Sequence, residues 1–203
     1  MKLKEIVMRN RVGIILMILC LLMCALVRTH FYTVTQKTSS YDENIEQSHN
    51  KDLIYDEVYN ATGDKKISLQ VTDAIQNAAE KENIDPLFLA AVIKQESNFC
   101  PKSASSSGGI GLMMISKEAE KNTGLDRSKI TENVEIGSKI LRHYLDTEIS
   151  TDKETALKIS LIGFYCGENG VKAYEQNSDH IDPEIMFRII NVMENYKQLS
   201  VRK

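Results

Sequence analysis

Glu96 stands in a part of the sequence that could carry out acid–base chemistry. It follows Val92 and Ile93 by four and three residues, so on a helix the three side chains share one apolar face. Pro101 ends this helix soon afterwards, and a helix C-terminus disfavours negative charge. Burial and the helix dipole both favour the protonated carboxyl group that a general acid needs near neutral pH. Glu96 is therefore a candidate general acid, but the same spacing also fits a glutamate that turns out into solvent.

A loop rich in serine and glycine follows this helix at residues 103–111. Gly108, Gly109 and Gly111 allow the backbone to approach a ligand closely or to adopt positive φ angles. A phosphate-binding loop is a poor fit, because no lysine follows the glycines and no strand precedes them. The sequence leaves two interpretations open, a ligand-binding loop and a flexible linker.

The elements that must position these residues are predicted to be helices, because apolar side chains recur at steps of three and four residues. The predicted helices cover residues 71–79, 86–96, 133–149, 152–167 and 182–199. Asp85 is predicted to cap the second of them, with Pro86 in its first turn. A short extended piece is predicted only around residues 110–115. The pattern predicts an all-α domain over residues 67–203.

The N-terminal part of the chain is predicted to attach this domain to a membrane. Residues 1–11 are basic, and an uninterrupted apolar run from Val12 to Val27 follows them. Extended by the aromatic residues Phe31 and Tyr32, the segment 12–32 is predicted to be a single transmembrane signal-anchor. The preceding positive charge predicts a cytoplasmic N-terminus, with the rest of the chain outside the cytoplasm. The polar residues 33–66 are predicted to form a stalk.

Several kinds of function and site are not expected from the composition. The 203 residues carry a net charge of −3, and nucleic-acid binding is not expected because it usually needs a basic face. The four histidines are scattered, and no cysteine pair has zinc-like spacing, so no metal site is expected. Of the four cysteines, Cys20 and Cys24 lie in the apolar run, whereas Cys100 and Cys166 lie in the part predicted to be exported, where a disulfide is permitted.

The region around Glu96 resembles lytic transglycosylases of the soluble type and their goose-type lysozyme relatives. These proteins show E-S-x-F-x-P, a serine-rich link and then G-x-x-G-L-M-Q. The matching residues here are Glu96, Ser97, Phe99, Pro101, Ser105, Gly108, Gly111, Leu112, Met113 and Ile115. Two later motifs match at Asn133, Gly137, Leu141, Gly167 and Val171. The resemblance spans residues 70–175.

This resemblance implies a lysozyme-like α-helical domain with a groove for the glycan strands of peptidoglycan. Glu96 would be the sole catalytic acid and base, giving 1,6-anhydro-muramic ends without a cofactor or metal. The residues expected to line the groove are Ser97, Ser105, Gly111, Leu112, Met113, Met114, Phe164 and Tyr165. If the family's geometry holds, the segments of Cys100 and Cys166 face each other, which makes a disulfide between them possible.

Four residues depart from the family's pattern. Met114 stands in place of a glutamine, Lys117 in place of a proline, and Phe164–Tyr165 in place of the Tyr-Asn pair whose tyrosine hydrogen-bonds the catalytic glutamate. Tyr165 could supply that hydroxyl, but one residue along a helix rotates a side chain by about 100°. A hydrolytic muramidase and a weakened peptidoglycan-binding module therefore stay open as alternatives.

The setting of such an activity follows from the predicted anchor. The domain is expected at the outer face of the cell membrane, or secreted if the anchor is cleaved. Its expected partners are peptidoglycan glycan strands and the membrane. Small enzymes of this type often serve secretion, conjugation or sporulation machinery, so such a complex is a further expected partner.

Overall fold

The computed structural model describes residues 45–147, 152–177 and 180–202, together with Met23, Leu26 and Arg28. Its seven main helices are α1 (residues 45–62), α2 (Lys65–Glu82), α3 (Pro86–Ser97), α4 (Lys117–Thr123), α5 (Ile130–Thr147), α6 (Lys153–Gln176) and α7 (Pro183–Val201). Residues from Ser48 onward form one compact unit. The prediction of an all-α architecture is confirmed for the described residues.

Side-chain caps determine where several of these helices begin. The carboxylate of Asp85 accepts a hydrogen bond from the backbone N–H of Leu87, and Pro86 occupies the first position of α3. This hydrogen bond confirms the predicted cap. An aspartate is favoured at this position because it satisfies a backbone donor that has no partner inside the helix. Asp152 and Asp182 cap α6 and α7 in the same way.

Helix α3 lies at the centre of the packing, and its apolar residues are buried on nearly all sides. Seven consecutive residues, from Leu87 to Ile93, are each 0% exposed. Helices α2 and α7 pack against α3, and α5 packs against α2 and α6. Because α3 is enclosed in this way, Glu96 in its last turn is carried into the interior, where its side chain is 2% exposed.

Helix α1 differs from the polar stalk expected over residues 33–66. Ile54 and Val58 are fully buried in the same core as α3. Glu57 lies between them and accepts a hydrogen bond at 2.8 Å from Lys94 of α3 and another from Arg202. Burial favours its protonated form, but these two cations outweigh that effect and hold the pKa of Glu57 below its usual range. The few apolar residues of this segment share one helical face, which is why a composition-based prediction missed the helix.

The predicted membrane anchor, residues 12–32, falls outside the described residues apart from Met23, Leu26 and Arg28. Within the part of the chain that the structure describes, none of the helices combines the length and the apolar character needed to cross a membrane. The extended piece expected at residues 110–115 is present as two isolated bridges, from Ile110 to Ala104 and from Ile110 to Ile115.

Candidate active site

Three helices bring their side chains together at Glu96. Its Oε1 accepts a hydrogen bond at 2.7 Å from the hydroxyl of Tyr165 on α6. Arg188 of α7 places Nη2 2.7 Å from Oε1 and 2.6 Å from Oε2. The structure therefore buries Glu96 instead of turning it out to solvent, and both of its oxygens are held.

Tyr165, and not Phe164, is the neighbour on α6 that reaches Glu96. Consecutive side chains on a helix point about 100° apart, so only one of the two can face α3. Helix α6 is oriented so that this residue is Tyr165. Burial, followed by the negative charge of Glu96, raises the pKa of the Tyr165 hydroxyl far above its usual range. The hydroxyl therefore keeps its proton at any ordinary pH and donates a hydrogen bond to Glu96.

Arg188 was not predicted from the sequence. Its guanidinium carbon lies 4.5 Å from the centre of the Tyr165 ring, and its side chain is 34% exposed. Burial acts to lower its pKa, but the charge of Glu96, the hydrogen bonds to it and the nearby Tyr165 and Glu184 together outweigh burial, so the net pKa of Arg188 is raised and the group stays positive. The sequence did contain a signal that Arg188 faces the interior of the domain. Arg188 lies three residues after Ile185 and four before Val192, on the apolar stripe of α7.

The loop after α3 is held by Asn133 of α5. The amide oxygen of Asn133 accepts a hydrogen bond from the backbone N–H of Met113 at 2.9 Å. Its amide nitrogen donates to the carbonyls of Ile110 at 2.9 Å and Arg127 at 2.7 Å. Arg127 in turn donates to the carbonyls of Gly108 and Ile115, each at 2.8 Å. This network makes residues 108–115 a structured loop and not a flexible linker.

Two of the residues expected to line the groove are core residues instead. The side chains of Leu112 and Met113 are 0% exposed, so they cannot touch a ligand in this arrangement. Met113 packs so closely over Gly137 that a Cβ there would lie 2.3 Å from its sulfur. The G-L-M pattern therefore anchors the loop in the core, and that physical role accounts for its residue types.

Of the other expected groove residues in α3 and the loop, Ser97, Ser105 and Met114 are half-buried, whereas Gly111 is buried. The hydroxyl of Ser97 donates to the carbonyl of Ile93 at 3.2 Å, and the hydroxyl of Ser105 accepts from the N–H of Gly109 at 2.9 Å. Met114 is half-buried, and its φ of 49° is unusual for a residue with a side chain. Contact of these residues with a substrate stays a prediction.

Replacing Gly111 by alanine is expected to lower the free energy of unfolding by about 1–3 kcal/mol. Gly111 has a φ of 82°, and a Cβ there would lie 2.2 Å from the amide nitrogen of Asn133. Gly108→Ala is the matched control, since Gly108 has a φ of 86° in the same loop but nothing within 4 Å of a Cβ. Urea denaturation measures both variants. Equal losses in the two would show that the contact with Asn133 is unimportant.

The disulfide considered between Cys100 and Cys166 is absent, since both are free thiols. Cys100 is exposed, whereas Cys166 is half-buried. Cys166 packs closely against Gly170 of its own helix, where an added Cβ would lie 2.1 Å from the Cβ of Cys166. Burial, followed by the charge of Asp182, raises the pKa of the Cys166 thiol, which disfavours the reactive thiolate.

Three other carboxylates are each engaged with neighbours of their own and are not placed to assist Glu96 in this arrangement. Asp126 accepts hydrogen bonds from Ser128, Glu132 pairs with Lys129 at 2.8 Å, and Glu168 pairs with Lys172 at 2.7 Å. Among the described residues, no group of three or more His, Cys, Asp or Glu side chains is arranged to hold a metal ion.

An apolar cavity of about 860 Å³ lies between α6 and α7. Its apolar lining includes Leu157, Ile162, Ile189 and Met193, whereas Glu96 and Tyr165 do not line it. The candidate active site is therefore defined by the convergence of three helices on Glu96, and not by this cavity.

Comparison with known proteins identifies the family. Residues 73–187 match the family described as Transglycosylase SLT domain, which is more than half of the chain. The chain belongs to this family. The resemblance noted in the sequence is thereby confirmed, and the matched residues of the SLT domain include Glu96 and Tyr165 but end one position before Arg188.

Two relatives share part of this domain. A transglycosylase of Enterobacteria phage PRD1 is 32% identical over 80 residues, which are 39% of this chain and 30% of that protein. A membrane-bound lytic murein transglycosylase F of Desulfosudis oleivorans is 31% identical over 107 residues, 50% of this chain and 23% of that protein. The chain thus spans less than a third of the length of either relative.

Two solved structures are also similar. The 70 kDa soluble lytic transglycosylase of Escherichia coli gives a TM-score of 0.44 at 20% identity, covering 63% of this chain and 22% of that one. An inactive mutant of the lytic transglycosylase Slt of Pseudomonas aeruginosa gives 0.42 at 16% identity, with the same coverage.

Proposed function

We propose that the protein is a peptidoglycan lytic transglycosylase that cleaves the bond between N-acetylmuramic acid and N-acetylglucosamine. The observation that carries this proposal is the buried carboxyl group of Glu96, oriented by the hydroxyl of Tyr165 at 2.7 Å within an SLT domain. A buried and oriented carboxyl group can donate and take back a proton at one position, as this reaction requires.

Glu96 has two roles in the proposed reaction. Its carboxyl group donates a proton to the glycosidic oxygen as the bond from that oxygen to the muramic acid C1 breaks. The resulting carboxylate then removes a proton from the 6-hydroxyl of the same muramic acid, whose oxygen bonds to C1. The product carries a 1,6-anhydro ring, no water is consumed, and Glu96 is protonated again at the end.

A single carboxylate is sufficient for this sequence of steps. Glycosidases that use water usually need a second carboxylate, as nucleophile or as base. Asp126, Glu132 and Glu168 are each engaged with neighbours of their own, as described above, which favours the intramolecular reaction over hydrolysis.

The proposed setting is the outer face of the cell membrane, with residues 12–32 as the anchor and local remodelling of the cell wall as the role. The support for the anchor is the apolar run from Val12 to Val27 behind a basic tip. Attachment to a secretion, conjugation or sporulation complex belongs to the same proposal, and its support is that small enzymes of this type often serve such machinery.

Digestion of purified peptidoglycan tests the reaction, with the muropeptides examined by mass spectrometry. We expect products that end in 1,6-anhydro-muramic acid. Products with reducing ends, heavier by one water, would show a hydrolytic muramidase instead. Retained binding of peptidoglycan without any cleavage would show a binding module and would contradict the proposed activity.

A further inference from the structure

The guanidinium of Arg188 has hydrogen-bond donors that none of the described residues uses. Its Nη2 lies 2.7 Å from Oε1 and 2.6 Å from Oε2 of Glu96. A guanidinium carries five N–H groups in one plane, and three of them belong to Nε and Nη1. Within the described part of the chain, neither Nε nor Nη1 of Arg188 has a hydrogen-bond partner. These donors are therefore available to a ligand.

The unused donors lie next to the carboxyl group of the candidate active site. The Arg188 side chain is 34% exposed, whereas that of Glu96 is 2% exposed. The ring of Tyr165 lies 4.5 Å from the guanidinium carbon and can cover one face of the group, but the N–H groups point outward in its plane. A ligand whose reacting bond lies at Glu96 thus comes close to a positively charged group with donors to spare.

We propose that Arg188 binds the lactyl arm of N-acetylmuramic acid, by donating hydrogen bonds from Nε or Nη1 to the oxygen at the end of that arm. This inference rests on the proposed function, which places C1 of the same sugar at Glu96. The arm leaves the ring at C3, two carbons away from C1. Its end is a free carboxylate in strands without peptide stems and an amide where a stem is attached. Both forms present an oxygen that accepts from a guanidinium, most strongly the carboxylate.

The chemistry of the strand requires a residue with this role. The two sugars that alternate along a glycan strand differ only by the lactyl arm, which N-acetylglucosamine lacks. An enzyme that cleaves only the bond after N-acetylmuramic acid therefore has to recognise the arm. A site that hydrogen-bonds a group of its substrate discriminates against an analogue without that group, because its donors are then left unpaired. Arg188 provides such donors beside Glu96.

The binding of two small sugars that the proposed reaction does not consume tests this inference. N-acetylglucosaminyl-N-acetylmuramic acid ends in the muramic sugar and so lacks the bond that is cleaved. N,N′-diacetylchitobiose has the same pair of rings without the arm. Ligand-observed NMR with the full-length chain measures both affinities. We expect the wild type to bind the muramic disaccharide at least about tenfold more tightly, and Arg188→Gln to bind the two sugars within about twofold of each other.

Arg142→Gln is the matched control for this variant. It removes the same charge from an arginine of α5 that also pairs with a carboxylate, Asp146. We expect it to keep the wild-type preference, and circular dichroism with thermal unfolding checks that both variants are folded. Equal affinities of the wild type for the two sugars would overturn the inference, and so would a preference that persists in folded Arg188→Gln.

The NMR signal of Arg188 gives a second readout in the wild-type protein. The Nε–H resonance of Arg188 is followed in ¹⁵N-labelled full-length chain and is identified by its absence in Arg188→Lys. We expect this resonance to shift on addition of the muramic disaccharide and to stay in place on addition of N,N′-diacetylchitobiose. The same response to both sugars would mean that Arg188 does not recognise the arm.

These measurements separate the inference from the proposed function, because they involve no cleavage. A preference that depends on Arg188, in a protein that leaves peptidoglycan intact, would support the role of Arg188 and contradict only the proposed reaction. Cleavage of peptidoglycan by a protein without this preference would support the proposed reaction and refute the role of Arg188.

Discussion

Glu96→Gln is expected to reduce peptidoglycan cleavage by at least about three orders of magnitude. The amide keeps the size of the side chain, and its oxygen can still accept from Tyr165 and Arg188, although its nitrogen is a donor where Oε2 accepted from Arg188. The amide neither donates an acidic proton nor takes one back. Both steps of the proposed reaction therefore lose their proton transfer. The rate is measured as soluble muropeptides released from purified peptidoglycan.

The control for this variant is Glu168→Gln, the same chemical change at an exposed residue of α6 that pairs with Lys172. We expect it to retain the wild-type rate. Circular dichroism and thermal unfolding check that both variants are folded. Cleavage by folded Glu96→Gln at a rate near that of the wild type would remove Glu96 from the mechanism.

Tyr165→Phe is expected to slow cleavage by about 10- to 100-fold. The change removes one hydroxyl, which donates to Oε1 of Glu96 at 2.7 Å, and leaves the ring in place. A hydrogen bond to a charged group contributes about 1.5–3 kcal/mol, and about 1.4 kcal/mol corresponds to a tenfold change in rate. Because the hydroxyl orients the carboxyl group, we expect the loss mainly in kcat.

An exchange variant shows whether position 165 itself is important. Phe164→Tyr combined with Tyr165→Phe moves the tyrosine to position 164, where the family pattern described above has it. The structure predicts that this double variant is as slow as Tyr165→Phe, because α6 presents position 165 to Glu96. Recovery of the wild-type rate would show that position 164 can reach the carboxyl group and would contradict the geometry described above.

The site extends beyond the part of the chain that matches the family. The match ends at residue 187, and Arg188 lies directly after it on α7. Helix α1 lies outside the match at the other end, and Glu57 ties it to Lys94 of α3, two residues before Glu96. The segments on both sides of the matched residues therefore support the helix that carries Glu96.

The features that depend only on residues close together in the sequence could be predicted from the sequence. Asp85 and Pro86 specify the start of α3, and the apolar spacing from Leu87 to Ile93 specifies its burial. The order of Glu96 and the glycine-rich loop indicated the family, since such motifs lie within a few turns of one another. Caps and spacing act over three or four residues, so they can be predicted from the sequence alone.

The tertiary structure alone decided which side chains meet at Glu96. Tyr165 lies 69 residues away from it and Arg188 lies 92 residues away. A rotation of about 100° about the axis of α6 separates a tyrosine that reaches the carboxyl group from a phenylalanine that does not. The orientation of α6 and α7 results from core packing over the whole domain. Core packing also buries the side chain of Met113. Residue spacing carries no information on such orientations, because they depend on contacts between helices that are distant in the sequence.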